Sequence, residues 1–295
     1  MHVIAVAWMD HDSGVVTLGE NGIVSTWTRN AQNKWQWAKI LDARGGKQSE
    51  QKGSPSCLAF ARDRIAIGFP GIGVKVWLFI KGTWLPQRSI LRQGVTTIKF
   101  VEDGDALIGG TGDGVLWRCE IPNGTLRALT FLKNKIFSLD VDARGGYVTV
   151  SLTGGRAQLV AIKQDEQRGA VEQTFVPQEL ELGENASYEF GVAFANRHQN
   201  VLFGDIRGCV MVWDRNNAEV VSGLSHAEDD VVQAVSCFDG SQAAGGQIVT
   251  GTRNGHLAWF TVSSSDGNRN LISGESIVRV LILSLAGQRK RAKVD

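Results

Sequence analysis

One short pattern returns six times along the chain: a glycine turn, then an alternating apolar run that closes on a large side chain. The copies are "GIVSTW" ending at Trp27, "GVKVW" at Trp77, "GVLW" at Trp117, "GRAQLV" at Val160, "GCVMVW" at Trp213 and "GHLAWF" at Phe260. Their closing residues stand 40 to 53 residues apart, which brackets the period of about 40 to 45 residues of a four-stranded propeller blade. Ahead of each copy lies a first alternating run: "VIAVAW", "SCLAF", "TTIKF", "FSLDV", "FGVAF" and "VQAVS". A shorter apolar run such as "VVTLG" or "RIAIG" sits between the two, close enough to pair with both through tight turns. A fourth follows: "KWQWAKIL", "TWLPQRSIL", "LRALTFL", "VEQTFVP", "EVVSGLS" and "SIVRVLILSL". Each repeat therefore supplies four strands.

The fold class that follows is all-β, a β-propeller of four-stranded antiparallel blades. Blades are expected at about residues 1–42, 54–92, 94–133, 135–178, 188–225 and 230–285, forming one domain, with a basic tail at 286–295. Composition agrees: 35 glycines against five prolines mean many turns, and nine tryptophans supply large aromatics for repeated burial. Hydrophobic residues make up 43% of the chain, so it can bury a sizeable core. Six blades are favoured, closed by packing Trp8-side residues against Phe260-side residues. The alternative is an incomplete seven-bladed ring, which would leave an apolar face exposed. In the first strands Trp8, Phe60, Phe100 and Phe194 share one slot, and Ala7, Ala59 and Ala193 precede them. The large residues are expected between blades and the small ones at the narrow centre.

On these residues the chain resembles the WD-repeat family of β-propellers. Trp213 and Asp214 match the family's namesake dipeptide, and Gly223 with His226 resemble its glycine–histidine element in a loosened form. The resemblance implies a structural hydrogen-bonded set, for which His226, Thr250 and Asn254 are the nearest matches, with Phe260 in the tryptophan slot. Asp113 keeps the family's turn aspartate, whereas Asn21 and Arg207 replace it in two other repeats. Trp27, Trp77, Trp117 and Trp213 are expected as buried structural anchors rather than ligand-stacking residues.

Motifs that could carry chemistry have simpler readings. "GFPGIG" and "GGTGDG" are followed by neither a helix nor G-K-[ST], so they read as hairpin turns and not phosphate loops. The five histidines show no metal-ligand spacing, and no serine lies in a G-x-S-x-G elbow. Cys57, Cys119, Cys209 and Cys237 lie within or beside apolar runs without C-x-x-C spacing, and read as buried free thiols. No catalytic residue, metal site or cofactor is expected. The net charge of +1 gives no global attraction to nucleic acid or membrane, so nucleic acid could be met only through Arg289, Lys290, Arg291 and Lys293 of the tail. Asp10 interrupts the opening apolar run, no basic leader precedes it, and no run reaches the length of a membrane span. An intracellular protein of the cytoplasm or nucleus is expected, not a secreted one.

The resemblance implies a non-catalytic scaffold or adaptor whose loops bind other proteins or peptides within a larger assembly. The alternative is an enzyme or metal-binding propeller with a site in the central channel. Connections from each fourth strand to the next first strand should share one face with the turns between second and third strands. On that face Lys47, Lys52, Arg92, Lys133 and Lys135 make a basic side. Glu179, Glu181, Glu228, Asp229 and Asp230 make an acidic one, and Arg253 lies in a turn of the same face. A partner with the opposite pattern would be steered onto such a surface. Lys99 and Asp140 occupy the small-residue slot in neighbouring repeats and are expected to form an ion pair.

Overall fold

The computed structural model describes residues 3–9, 14–32, 34–44, 53–122, 124–142, 145–163, 168–177, 189–226, 230–238, 246–254 and 256–262. Short runs rich in β-branched and aromatic residues and apolar at successive positions, as in "RIAIGF" and "NVLFG", give strands that can pack on both faces of a sheet. Turns at Gly114 (φ 83°) and Gly208 (φ 76°) need the left-handed conformation that glycine adopts without strain.

Blade 1 comprises β1 (Val3–Trp8), β2 (Gly14–Gly19), β3 (Ile23–Arg29) and β4 (Trp35–Asp42), and blade 2 comprises β5 (Cys57–Ala61), β6 (Arg64–Phe69), β7 (Gly73–Ile80) and β8 (Thr83–Pro86). Blade 3 is β9 (Val95–Val101), β10 (Ala106–Thr111), β11 (Val115–Glu120) and β12 (Leu126–Phe131). Blade 4 is β13 (Ile136–Val141), β14 (Tyr147–Leu152), β15 (Arg156–Lys163) and β16 (Arg168–Phe175). Blade 5 is β17 (Val192–Ala195), β18 (Asn200–Gly204), β19 (Cys209–Asp214) and β20 (Val220–Ser225). Blade 6 shows β21 (Val232–Phe238), β22 (Gly246–Thr252) and β23 (Leu257–Val262). Each blade is an antiparallel meander, and the first strands follow one another in chain order around the propeller. The expected sixth outer strand at residues 276–285 and the basic tail at 286–295 lie outside the described residues. Among the described residues no helix is long and apolar enough to cross a membrane.

Five hydrophobic clusters hold the blades together, one at each junction from blades 1 and 2 to blades 5 and 6. Their distribution corrects one expectation about the first strands. Ala59 packs toward blade 3 while Phe60 packs toward blade 1, and Ala193 packs toward blade 6 while Phe194 packs toward blade 4. Both faces of a radial sheet meet a neighbouring sheet, so the period of two sorts side chains into those facing the next blade and those facing the previous one. Small residues thus face the following blade, not the centre.

A second correction concerns closure. Phe260 is buried against blade 5, whereas Trp8 is 56% exposed, so these two residues do not meet across the ends of the chain. The register explains this: Phe260 pairs with Ile248, and both belong to the face of blade 6 that meets blade 5.

Candidate functional site

The connections between blades and the turns between second and third strands do share one face, and backbone hydrogen bonds tie them together. The amides of Ala43, Leu132 and His226 donate to the carbonyls of Gly22, Gly114 and Gly208, linking the ends of blades 1, 3 and 5 to their own inner turns. The amides of Gly112, Thr153 and Arg253 donate to Gly94, Lys135 and Val231, linking that turn to the strand entering the same blade. These bonds measure 2.8–3.0 Å. These bonds fix each of these turns to a neighbouring connection, which lowers the ordering cost of binding through them.

A further device closes three of the turns. The amide of Val115 donates to Thr111 Oγ1 at 2.9 Å, that of Cys209 to Asp205 Oδ1 at 2.8 Å, and that of His256 to Thr252 Oγ1 at 3.2 Å. A short polar side chain ending the second strand satisfies the amide four residues on. Sequence reading passed over these residues. The available signal is a threonine or aspartate three positions before the turn glycine, at Gly114, Gly208 and Gly255.

The charges on this face fall into two groups. Arg92 Nη2 lies 3.0 Å from both carboxylate oxygens of Asp113 in the next blade, and Lys135 pairs with Glu189. The Thr111 hydroxyl and then Arg92 hold the Asp113 carboxyl below its ordinary range, against a smaller opposing effect of desolvation. Asp230 is buried, 3.7 Å from His256 Nδ1. Its burial raises the carboxyl pKa, but hydrogen bonds from Thr252 and from the amides of Asn254 and Val231 outweigh this and keep it low. Arg92, Lys135 and Asp230 thus tie loops together, while Lys133 and Arg253 stand exposed. Lys47, Lys52, Glu179, Glu181, Glu228 and Asp229 lie outside the described residues.

The tryptophan slot faces the preceding blade. Trp77, Trp117 and Trp213 are buried there, packed against blades 2's, 3's and 5's preceding neighbours respectively. Trp27 departs from the expectation of burial between blades: it holds the same slot in blade 1 and is only half-buried, because no described blade stands before it. Its Nε1 donates to Thr17 Oγ1 at 3.1 Å. In blade 6 the matching hydroxyl, Thr250, meets His226 Nδ1, while Phe260 fills the tryptophan slot. The expected hydrogen-bonded set is therefore divided, tryptophan with threonine in blade 1 and histidine with threonine in blade 6. Asn254 is exposed and joins only through its backbone amide to Asp230. Asp214 caps the turn after β19, accepting the amide of Asn216 at 2.7 Å.

On the first strands Lys99 and Asp140 form the expected ion pair between blades 3 and 4. Cys57 and Cys119 are buried free thiols, and Cys209 and Cys237 are partly buried. Burial pushes the Cys57 thiol up to about 12. Among the described residues no group of three His, Cys, Asp or Glu side chains could hold a metal ion. No protein-family model matches this sequence, and no curated protein matches it at a significant level.

Proposed function

We propose that this protein is a non-catalytic scaffold of the WD-repeat type, which binds other proteins or peptides through the face that carries its inter-blade connections. One observation carries this reading: among the described residues, backbone hydrogen bonds tie inner turns of this face to the connections beside them, which gives a stiff rim around the exposed Lys133 and Arg253. A rim of this kind pays little conformational entropy when a partner docks. The divided sets of Trp27 with Thr17 and His226 with Thr250 support the family assignment, since each holds part of the pattern that family uses structurally.

The test compares proteins retained by the full chain with those retained by two charge reversals. Lys133→Glu alters the proposed face. Lys81→Glu alters an exposed turn between β7 and β8, at the other end of the blades. Loss of the retained protein with Lys133→Glu but not with Lys81→Glu supports the reading. Equal retention by all three chains counts against it. Arg215 is a poorer control, because its guanidinium stacks on Tyr147 at 4.5 Å.

A further inference from the structure

We propose that the outer edge of blade 3 docks an extended segment of a partner protein, in which apolar and acidic side chains alternate, as a strand added beside β12. This surface is separate from the loop face, and the inference stands without it.

Register puts Phe131, Ala128 and Leu126 of β12 opposite Val115, Trp117 and Cys119 of β11. Trp117 and Cys119 belong to the hydrophobic cluster between blades 2 and 3, with Val115 packed against it. Cross-strand partners share a face, so the three β12 residues carry the side that meets blade 2 outward to the rim. There they are uncovered: Phe131 is 62% exposed, and Leu126 and Ala128 are exposed as well. The shape of blade 2 accounts for this. Trp77 and Trp117 hold the same slot, which sets Leu126 level with Trp84 of β8 and Phe131 beyond the end of β8 at Pro86. Past that point blade 2 has only the isolated bridge between Val74 and Ile90, and the next residue, Leu91, is 81% exposed.

The other side of β12 carries an unbalanced charge. Arg127 lies directly across from Arg118, and like charges so placed repel. Arg118 has two carboxylates of its own: its Nη2 lies 2.8 Å from Glu102 and its Nε 2.9 Å from Glu120. Arg127 is exposed and has no carboxylate within ion-pair distance among the described residues. A second cation flanks the apolar row. Burial raises the Cys119 thiol pKa, Glu120 adds to this, and the nearby charge of Arg88 opposes both. The Arg88 side chain is exposed and likewise has no ion-pair partner among the described residues.

An outer strand presents one edge of backbone groups to its surroundings, and a strand added there places successive side chains on opposite faces. Beside β12, one face of the added segment meets Leu126, Ala128 and Phe131, where apolar side chains are favoured. Its other face meets Arg127, where carboxylates are favoured. A basic segment would add to the repulsion between Arg118 and Arg127, and a wholly polar one would leave the Phe131 ring in water. The register shift of β12 between Ala128 and Thr130 confines regular pairing to a short stretch, so a segment no longer than β12 suffices.

The experiment uses the full chain and a fluorescein-labelled peptide, as long as β12, in which leucine and glutamate alternate. Fluorescence anisotropy at neutral pH and low salt reads the binding. The peptide is expected to bind, and Phe131→Ser and Arg127→Glu should each weaken binding at least about tenfold. Val221→Ser, which removes an exposed apolar side chain from β20 of blade 5, should leave it unchanged. On the unsubstituted protein, hydrogen–deuterium exchange should show the amides of 126–131 slowed by the peptide and those of 220–225 unaffected. Failure of the peptide to bind, binding unchanged by either substitution in β12, or an equal loss with Val221→Ser overturns the proposal. So does equal binding of the counterpart peptide with lysine in place of glutamate, or slowed exchange in β20 without any in β12.

Discussion

The carboxylate of Asp140 in blade 4 accepts a hydrogen bond from the backbone amide of Phe194 in blade 5 at 2.9 Å. The same carboxylate pairs with Lys99 of blade 3, so one side chain joins three consecutive blades at their inner strands. The two contacts are unequal. Lys99 is about half exposed, and water can replace its partner, whereas the Phe194 amide belongs to a fully buried strand.

Asp140→Ala is therefore expected to cost about 1–3 kcal/mol, the penalty for leaving a buried donor unpaired. Lys99→Ala should cost at most about 1 kcal/mol, as for exposed ion pairs. Asp140→Asn, which keeps an acceptor for the amide, should lie between them. Urea unfolding of the three variants checks the order.

Trp117 and Gly109 are cross-strand partners, and the ring lies where a β-carbon on Gly109 would stand, with one ring carbon 2.2 Å away. Neither the strand nor the buried ring has room to shift. Gly109→Ala should destabilise by about 1–3 kcal/mol through overpacking. Thermal melting followed by tryptophan emission reports both the loss and the altered environment of the ring.

Stability should fall as the pH is lowered through the histidine range. Burial holds the His226 imidazole below its ordinary value, His256 acts in the same direction, and Asp230 opposes both. A histidine with a depressed folded-state pKa contributes stability that is complete above about pH 6.5 and is lost as the pH drops through the folded value. His226→Gln keeps a hydrogen-bonding side chain but removes the titration. Melting temperatures measured between pH 7.5 and 5.5 should drop more for the unsubstituted chain than for this variant.

Cys57 should resist alkylation while the protein is folded. Its thiol is buried, Ser56 and Gly68 lie against it, and burial pushes its pKa up to about 12. The thiolate that reacts is nearly absent at pH 8. Iodoacetamide at that pH should label Cys57 only after denaturant is added, and rapid labelling in the native state would contradict the burial of β5.

Much of this architecture was legible in the residues because a blade is built from period-two strands and turn glycines. The third strands carrying Trp77, Trp117 and Trp213, and the outer strands β4, β12, β16 and β20, stand where alternation placed them, although β7 and β11 run three residues past the tryptophan. Alternation alone does not say which row of a radial sheet meets which neighbour, so Ala59 and Ala193 were assigned to the centre when they face the next blade. The partial exposure of Trp27 was hidden for a related reason: its local pattern equals that of Trp77, and only the absence of a described blade before it distinguishes them. Arg92 and Lys135 read in the sequence as part of a basic side, and their pairing was hidden because their partners Asp113 and Glu189 are distant in sequence. The turn caps at Thr111, Asp205 and Thr252 are short-range, and lay unread beside the more conspicuous glycines.

The central claim is that the large residue in the tryptophan slot of the third strand anchors each of blades 2 to 6 to the preceding one. Trp213 of blade 5 meets Phe175 of blade 4 with ring centroids 5.7 Å apart. A double-mutant cycle on Trp213→Ala and Phe175→Ala, read by equilibrium unfolding, tests that claim most directly. Each single change should cost about 3–5 kcal/mol. The coupling between them should be about 0.5–1.5 kcal/mol, as for packed aromatic pairs. Additivity within about 0.3 kcal/mol would mean that the two rings do not share a junction, and would contradict the packing of blade 5 on blade 4.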